Sequence, residues 1–338
     1  MPAPGPRTRQ SVNRRQRFPK PRPGAAPLDA AAIDEALRAS PHRPIMLREV
    51  LGCLQPGPGD VVVDATLGGG GHAQALLAHV IPGGRLLGLD VDAGTLAASE
   101  RRLREAGYGR DVFAARHASF DRLPAILDAE GLGPASAVLV DLGVSTMQLD
   151  DPSRGLHYKA VGPLDLRLDL SRGEPASSLL ARLDAPDIEA LLVANADEPH
   201  ADVIAAILAR ERPTTTHALE RLVRQGLLDA SLELALPEIK LSVRRTLQAL
   251  RIAVNDELSA LDRLLDVLPG CLAPGGRAAI LTFHSGEDRR VKQAFRQGHR
   301  QGTYAALARE VIRSQKDETR ANRRAAAAKL RWAVRARP

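Results

Sequence analysis

The residues with the most chemical content in this chain are Asp64-Ala65-Thr66-Leu67-Gly68-Gly69-Gly70-Gly71-His72. They follow the apolar run Val61-Val62-Val63, which reads as a short buried strand. They lead into His72-Ala73-Gln74-Ala75-Leu76-Leu77-Ala78, which reads as a helix start. Four successive glycines carry no Cβ, so the backbone can take positive φ and let a ligand come close. Strand, glycine loop and helix N-terminus in this order make a nucleotide-type binding corner. Asp90 closes the next apolar run, Leu86-Leu87-Gly88-Leu89, at the distance where a carboxylate accepts from ribose hydroxyls.

The ligand is narrowed by what surrounds the loop. Gly68-x-Gly70-x-x-Ala73 formally fits a dinucleotide fingerprint, whereas no Lys-Ser or Lys-Thr follows the glycines, which excludes a phosphate-cradling P-loop. Asp64 stands at the end of the first strand, where its charge repels a pyrophosphate and attracts the ammonium of a methionine moiety. The arrangement therefore favours S-adenosyl-L-methionine over a dinucleotide. A bare connecting turn is the third reading, and it leaves four entropy-costing glycines without a purpose.

Two further stretches sit at expected strand ends. In Asp141-Leu142-Gly143-Val144-Ser145-Thr146-Met147-Gln148, Asp141 could accept a hydrogen bond from an amine and Gln148 could reach adenine or substrate; a plain turn with an Asp cap is the alternative. In Phe283-His284-Ser285-Gly286-Glu287-Asp288, Ser285 with Asp288 reads as a capping box. That leaves Phe283 and His284 free to stack on a base.

The elements that must position these residues alternate between strand and helix from Pro44 onward. Strands are expected over Asp60–Asp64, Arg85–Asp90, Ala137–Asp141 and Arg277–Phe283, each with an apolar run that ends near polar or glycine-rich residues, as in parallel strands buried on both faces. Helices are expected over Ala93–Ala106 and Phe120–Glu130. Ligands of such α/β sheets gather at the carboxyl ends of strands, where Asp64, Asp90, Asp141 and Phe283-His284 all fall. Between Pro152 and about Val243 the alternation gives way to helices over Asp187–Val193, Ala201–Arg212 and Thr216–Leu228. One long amphipathic helix then spans Thr246–Leu268, and the period-two run Lys329–Arg335 suggests a last strand. The organisation expected is a disordered basic arm over 1–40, an α/β core over 41–151 and 244–338, and a helical insert over 152–243.

Composition adds a partner. The 338 residues carry a net charge of +7, 44% hydrophobic and only 3% aromatic residues. Residues 1–40 hold eight Lys and Arg against three Asp and Glu, and residues 285–338 hold fifteen against five, so the body between is net acidic. Basic arms on an acidic body are a footprint for a polyanion such as RNA. The two cysteines, Cys53 and Cys271, lack any metal spacing, so a reduced, cytoplasmic setting and no metal are expected. No apolar run approaches the ~18 residues of a membrane span. The prolines of the Arg-rich start argue against a transit peptide.

With these motifs in hand, the sequence resembles the bacterial small-subunit ribosomal RNA cytosine-N4 methyltransferases, the RsmH/MraW family. The resemblance runs from about His42 to Arg335. It rests on His42-Arg43-Pro44-Ile45-Met46-Leu47-Arg48-Glu49-Val50, the glycine loop ending in His72, and Asp141 to Ser145 with Gln148-Leu149-Asp150-Asp151. Arg154-Gly155, Gly162-Pro163-Leu164-Asp165, Arg251-Ile252 with Val254-Asn255, Leu272-Ala273-Pro274-Gly275-Gly276-Arg277 and Lys329-Leu330-Arg331 extend it.

The resemblance implies a class I, Rossmann-like methyltransferase fold with a helical insert domain for substrate recognition. It implies S-adenosyl-L-methionine bound by Gly70, Gly71, His72, Asp90, Phe120, Asp141 and Gln148. It also implies transfer to the N4 amine of a cytidine in the decoding region, on ribosomal RNA or an assembled small subunit. Asp141 is the expected catalytic acceptor of the N4 proton. The chain departs from the family pattern at Leu241-Ser242-Val243-Arg244, at Asp197 to Val203, at Gly286 where leucine is usual, and at Ala326-Ala327, all on the RNA side of the pattern. A divergent paralogue with another RNA nucleotide as substrate is therefore the alternative. An NAD-linked oxidoreductase lacks an evident hydride-transfer constellation, and a non-catalytic RNA-binding assembly factor has no need of the intact glycine loop.

Overall fold

The computed structural model of this chain describes residues 18–22, 33, 43–159, 161–230 and 233–338. Its contacts divide into two compact units, one from Met1–Asp90, Leu96–Gly143 and Leu261–Pro338, the other from Val91–Thr95 and Val144–Ala260.

The first unit is α/β. Its strands are β1 (Val61–Asp64), β2 (Arg85–Asp90), β3 (Phe113–His117), β4 (Ala135–Asp141), β5 (Leu272–Thr282), β6 (Tyr304–Leu307), β7 (Ile312–Arg313) and β8 (Lys329–Arg335). They form one sheet in the order β3-β2-β1-β4-β5-β8-β6, with β7 also on β8. The strands from β1 to β5 are parallel, while β8 runs antiparallel to β5, β6 and β7. A two-residue side-chain period sends neighbours to opposite faces. Val62, Leu86, Leu139 and Ala279 accordingly join one buried cluster with α1 (Leu47–Leu54), α2 (Gly71–Val80) and α3 (Ala93–Glu105). Val63, Leu87, Val138 and Ile280 join the other, with α4 (Leu123–Ala129). Burial on both faces is why these strands read as unbroken apolar runs. Strand β3 escaped that reading because it closes one end of the sheet and its last two residues, Arg116 and His117, are exposed.

The second unit is helical: α5 (Thr146–Asp150), α6 (Ala176–Arg182), α7 (Ala185–Ala196), α8 (Ala201–Glu211), α9 (Thr216–Asp229) and α10 (Leu236–Asn255). It has its own core, including Leu164, Ile188, Leu208, Val223, Leu247 and Leu250. The unit takes in Val144–Ala260, and one face of α10, through Ile239, Val243, Leu247 and Leu250, packs into that core. The long helix expected over Thr246–Leu268 is corrected to two, since α10 starts ten residues earlier and stops at Asp256, which takes a left-handed φ of 51°. The break is tied down on both sides. Asn255 accepts the Leu168 N–H at 2.7 Å and donates to the Leu166 carbonyl at 2.8 Å, while Arg251 grips Glu257 at 2.8 and 3.0 Å. The next helix is α11 (Glu257–Cys271).

The basic arm expected over 1–40 lies mostly outside the described residues; of those described, residues 18–22 run along the first unit. Arg22 forms a two-point pair with Asp60 at 2.5 and 2.9 Å, and the buried Arg277 donates to the Lys20 carbonyl at 2.8 Å. A buried guanidinium needs such acceptors, and this short segment supplies one. The first unit is completed by α12 (Ser285–Arg300) and α13 (Lys316–Ala321). Among the described residues no helix is long and apolar enough to cross a membrane.

Candidate cofactor and active site

The glycine loop leaves β1 after Asp64 and enters α2 at Gly71. Gly68 and Gly70 take left-handed φ of 48° and 69°, a region costly for residues with a side chain. A Cβ on Gly70 would stand 2.8 Å from Arg102 Nη2, whereas one on Gly69 would meet nothing within 4 Å. The loop is braced by neighbouring elements. Gly68 N–H donates to Asp90 Oδ2 at 2.7 Å, and the Ser99 hydroxyl donates to the Gly68 carbonyl at 2.5 Å. Arg102 donates to the Gly69 carbonyl at 2.5 Å and to Gln74 Oε1 at 2.7 Å. The expected ribose acceptor, Asp90, thus has one oxygen on the loop itself.

Around this loop lies an acidic, desolvated edge. Asp64 is 1% exposed, and its Oδ2 has no hydrogen-bond partner. Burial above all, with the nearby charges of Asp141 and Asp90, holds its carboxyl well above the usual range. Asp141 is fixed by its backbone N–H donating to Thr66 Oγ1 at 2.6 Å. Its Oδ1 is buried and unpartnered, and burial followed by the charge of Glu287 pushes the carboxyl up to about 7. His72 Nε2 lies 3.6 Å from Asp141 Oδ2, with burial pushing the imidazole down to about 4. Burial thus favours the neutral forms of His72, Asp64 and Asp141.

The stretch after β5 differs from expectation. The residue preceding α12 is His284, not Ser285, and the reciprocal acceptor is Glu287, whose Oε2 receives the Phe283 and His284 N–H groups at 2.8 and 3.3 Å. Asp288 instead pairs with Arg331 at 2.6 and 3.2 Å, because β8 brings a guanidinium alongside. Phe283 packs on a core cluster and the His284 side chain is 10% exposed, so neither presents an open stacking face.

Of the sequence-predicted residues, Gly70, Gly71, His72, Asp90, Phe120 and Asp141 all fall in the first unit. The glycines and His72 follow β1, Asp90 ends β2, Asp141 ends β4, and Phe120 opens a short helical turn after β3, half-buried on a core cluster. Gln148 belongs to the helical unit. There its Nε2 donates to Asp92 at 3.0 Å and its Oε1 accepts the Ser145 N–H at 2.8 Å. Sequence reasoning missed Thr66, Ser99, Arg102 and Glu287. Thr66 lies inside the loop, Ser99 and Arg102 reach it only through tertiary structure, and Glu287 acts on Asp141 from the helix after β5.

The sequence profile of the MraW methylase family matches residues 39–336. Ribosomal RNA small subunit methyltransferase H 2 of Alkaliphilus metalliredigens is 41% identical over 303 residues, spanning 88% of this chain and 86% of its own. Ribosomal RNA small subunit methyltransferase H of Anaeromyxobacter dehalogenans is 39% identical over 309 residues, spanning 86% of this chain and 96% of its own. Among solved structures, TrmN from Thermus thermophilus is similar with a TM-score of 0.42 and 12% identity over 90% of this chain and 52% of its own. The match over nearly the whole length, joined to relatives at this identity, makes the chain a member of the MraW methylase family.

Proposed function

We propose that this chain transfers the methyl group of S-adenosyl-L-methionine to the N4 amine of a cytidine in the decoding region of small-subunit ribosomal RNA. The observation that carries the reading is the acidic edge around the glycine loop, set within a methylase family whose relatives bear a small-subunit RNA name. The residues present fit that cofactor. Two buried carboxyls have unpartnered oxygens, Asp64 Oδ2 and Asp141 Oδ1, which suit a ligand bearing ammonium and sulfonium charge, and Gly69 leaves open space beside the loop. Gly70, Gly71, His72, Asp90 and Phe120 complete the holding set.

When bound, S-adenosyl-L-methionine supplies a methyl carried on a sulfonium sulfur. The N4 lone pair of cytosine is delocalised into its ring, so the chain's contribution is orientation and an acceptor for the proton the amine sheds. Asp141 is that acceptor. An ordinary carboxylate is too weak a base at neutral pH, and burial beside Glu287 raises Asp141 to about 7. His72, neutral beside it, leaves that basicity in place. The helical unit serves substrate recognition, and the target base is splayed from its stack to react. The substrate puts the reaction in the cytoplasm.

The test is nucleoside mass spectrometry of small subunits and of protein-free rRNA incubated with the protein and labelled S-adenosyl-L-methionine. N4-methylcytidine is expected. Label on carbon-5 or on another base would overturn the nucleotide assignment, and no label on either substrate would overturn the reading as a whole.

A further inference from the structure

We propose that the outward face of α12 is a backbone track for single-stranded RNA, gripping phosphates through Lys292, Arg296 and Arg300, with Arg289 nearest the helix start. The proposal rests on the reading of the substrate as RNA and adds where that RNA runs. Arg289, Lys292, Arg296 and Arg300 stand at i, i+3, i+7 and i+11, a spacing that lines one stripe of a helix. Arg289, Arg296 and Arg300 are exposed and Lys292 is half-buried. Among the described residues, Lys292, Arg296 and Arg300 have no ion-pair partner, whereas Arg290, off the stripe, is taken up by Asp262 at 3.1 Å.

The sign of this face is uniform by construction. Both carboxylates of α12 are turned away from it: Glu287 is buried under the Phe283 and His284 N–H groups, and Asp288 pairs with Arg331 and, at 3.6 Å, Lys329. The opposite face, Glu287, Val291, Phe295 and Gly298, is buried. Phe295 meets Tyr304 edge-on at 5.4 Å, and Gly298 lies so close to the same ring that a Cβ there would be 2.6 Å away. The helix is therefore a fixed mount for its cations.

Placement gives the stripe its meaning. α12 begins two residues after β5, and Glu287 in its first turn is the charge that raises Asp141, so the cations further along the helix lead away from the reacting edge. At 1.5 Å per residue, Arg289 to Arg300 covers about 16 Å in steps of roughly 4.5–6 Å, a pitch suited to successive phosphates of a strand that has left its stack. The C-terminal segment is a poorer track, although it too is arginine-rich. Arg313, Lys316, Arg320, Arg323 and Arg324 are interleaved with Asp317 and Glu318, and Arg320 lies 3.4 Å from Asp317.

The experiment measures binding of the full chain to protein-free small-subunit rRNA and to a single-stranded cytidine-containing oligoribonucleotide across a salt series. Three proteins are compared: wild type, Lys292→Ala/Arg296→Ala/Arg300→Ala, and Arg313→Ala/Lys316→Ala/Arg320→Ala/Arg323→Ala/Arg324→Ala. Losing three single-strand phosphate contacts should lower the log–log salt slope by about 2 and weaken binding at least about tenfold at moderate salt. S-adenosylhomocysteine affinity and melting temperature should stay unchanged in the triple variant. A wild-type slope in the triple variant, with the loss moved to the tail variant, overturns the proposal. So does a triple variant that keeps wild-type affinity for both RNAs. A wild type without salt-dependent RNA binding overturns it too, and by that different readout fails the substrate reading itself.

Discussion

His72 Nε2 and Asp141 Oδ2 stand 3.6 Å apart, yet they are not an ion pair, because burial pushes the imidazole down to about 4 while burial and Glu287 push the carboxyl up to about 7. A charged pair here would neutralise the carboxylate that an incoming cation needs. With the imidazole neutral, the ionised form of Asp141 faces an unfilled demand for positive charge. The site's affinity for a cationic ligand is thereby coupled to proton release.

Binding of S-adenosyl-L-methionine should therefore strengthen as pH rises from about 6 to 8, with a proton released from Asp141. Calorimetry in two buffers of different ionisation enthalpy measures the release directly. Transfer to RNA should rise over the same window if Asp141 is the proposed acceptor, which must be deprotonated to act. Asp141→Asn should remove both the proton release and the transfer. A pH-independent affinity in the wild type would refute the linkage.

The same carboxyl carries a stability signature of opposite direction. A carboxyl whose folded value is raised favours the folded state below its unfolded value, near 3.8, and that advantage is lost as pH climbs through about 7. Asp141→Asn should accordingly melt higher than wild type at pH 8 in the absence of ligand, with the gap narrowing as pH falls from 7 towards 4. His72 works in the other direction, its neutral burial penalising the folded state as pH falls from 6.5 towards 4. Thermal melts of the two proteins and of His72→Gln across this range separate the contributions.

The four glycines should not be equivalent. Gly70→Ala forces a side chain into a left-handed backbone and against Arg102, at a cost of about 1–3 kcal/mol, and it disturbs the brace on the Gly69 carbonyl. Gly69→Ala points its methyl into open space, and chemical unfolding should find its stability within about 0.5 kcal/mol of wild type. Equal losses at both positions would show that the loop is held as a whole rather than at Gly70.

The strands that carry the site were legible because burial on both faces leaves a plain signature: Val61–Val63, Leu86–Leu89 and Ala137–Val140 are apolar runs, each followed by an aspartate. What was not legible came from partners distant in sequence. Nothing near Thr246–Leu268 announces a break at Asp256, because the device that secures it is Asn255 bonding to Leu166 and Leu168, nearly ninety residues away. Ser285 and Asp288 fit the capping pattern, but the position of Arg331 on β8 takes Asp288 away and gives the role to Glu287. Local spacing shows which groups are available, and tertiary competition decides how each is used.

That competition is sharpest at Asp92 and Arg154 in the helical unit. Arg154 Nη1 pairs with Asp92 Oδ2 at 2.9 Å, its Nη2 donates to the Leu168 carbonyl at 2.6 Å, and both side chains are at most 10% exposed. Asp92 also accepts from Gln148 and from the Gly94 and Thr95 N–H groups. Burial alone would raise its carboxyl, but the bonds from Gln148 and Thr95 and the charge of Arg154 hold it below the ordinary range. Removing one partner of such a pair leaves a buried charge uncompensated, so Arg154→Leu should cost about 3–5 kcal/mol in chemical unfolding. Asp92→Asn keeps the shape and the Gln148 contact but leaves the guanidinium without its counter-charge, and should cost less. Arg154→Leu/Asp92→Leu, with both charges gone, should recover much of the single loss. A double variant as unstable as Arg154→Leu would assign the cost to the freed Arg167 and Leu168 carbonyls instead of the unpaired carboxylate.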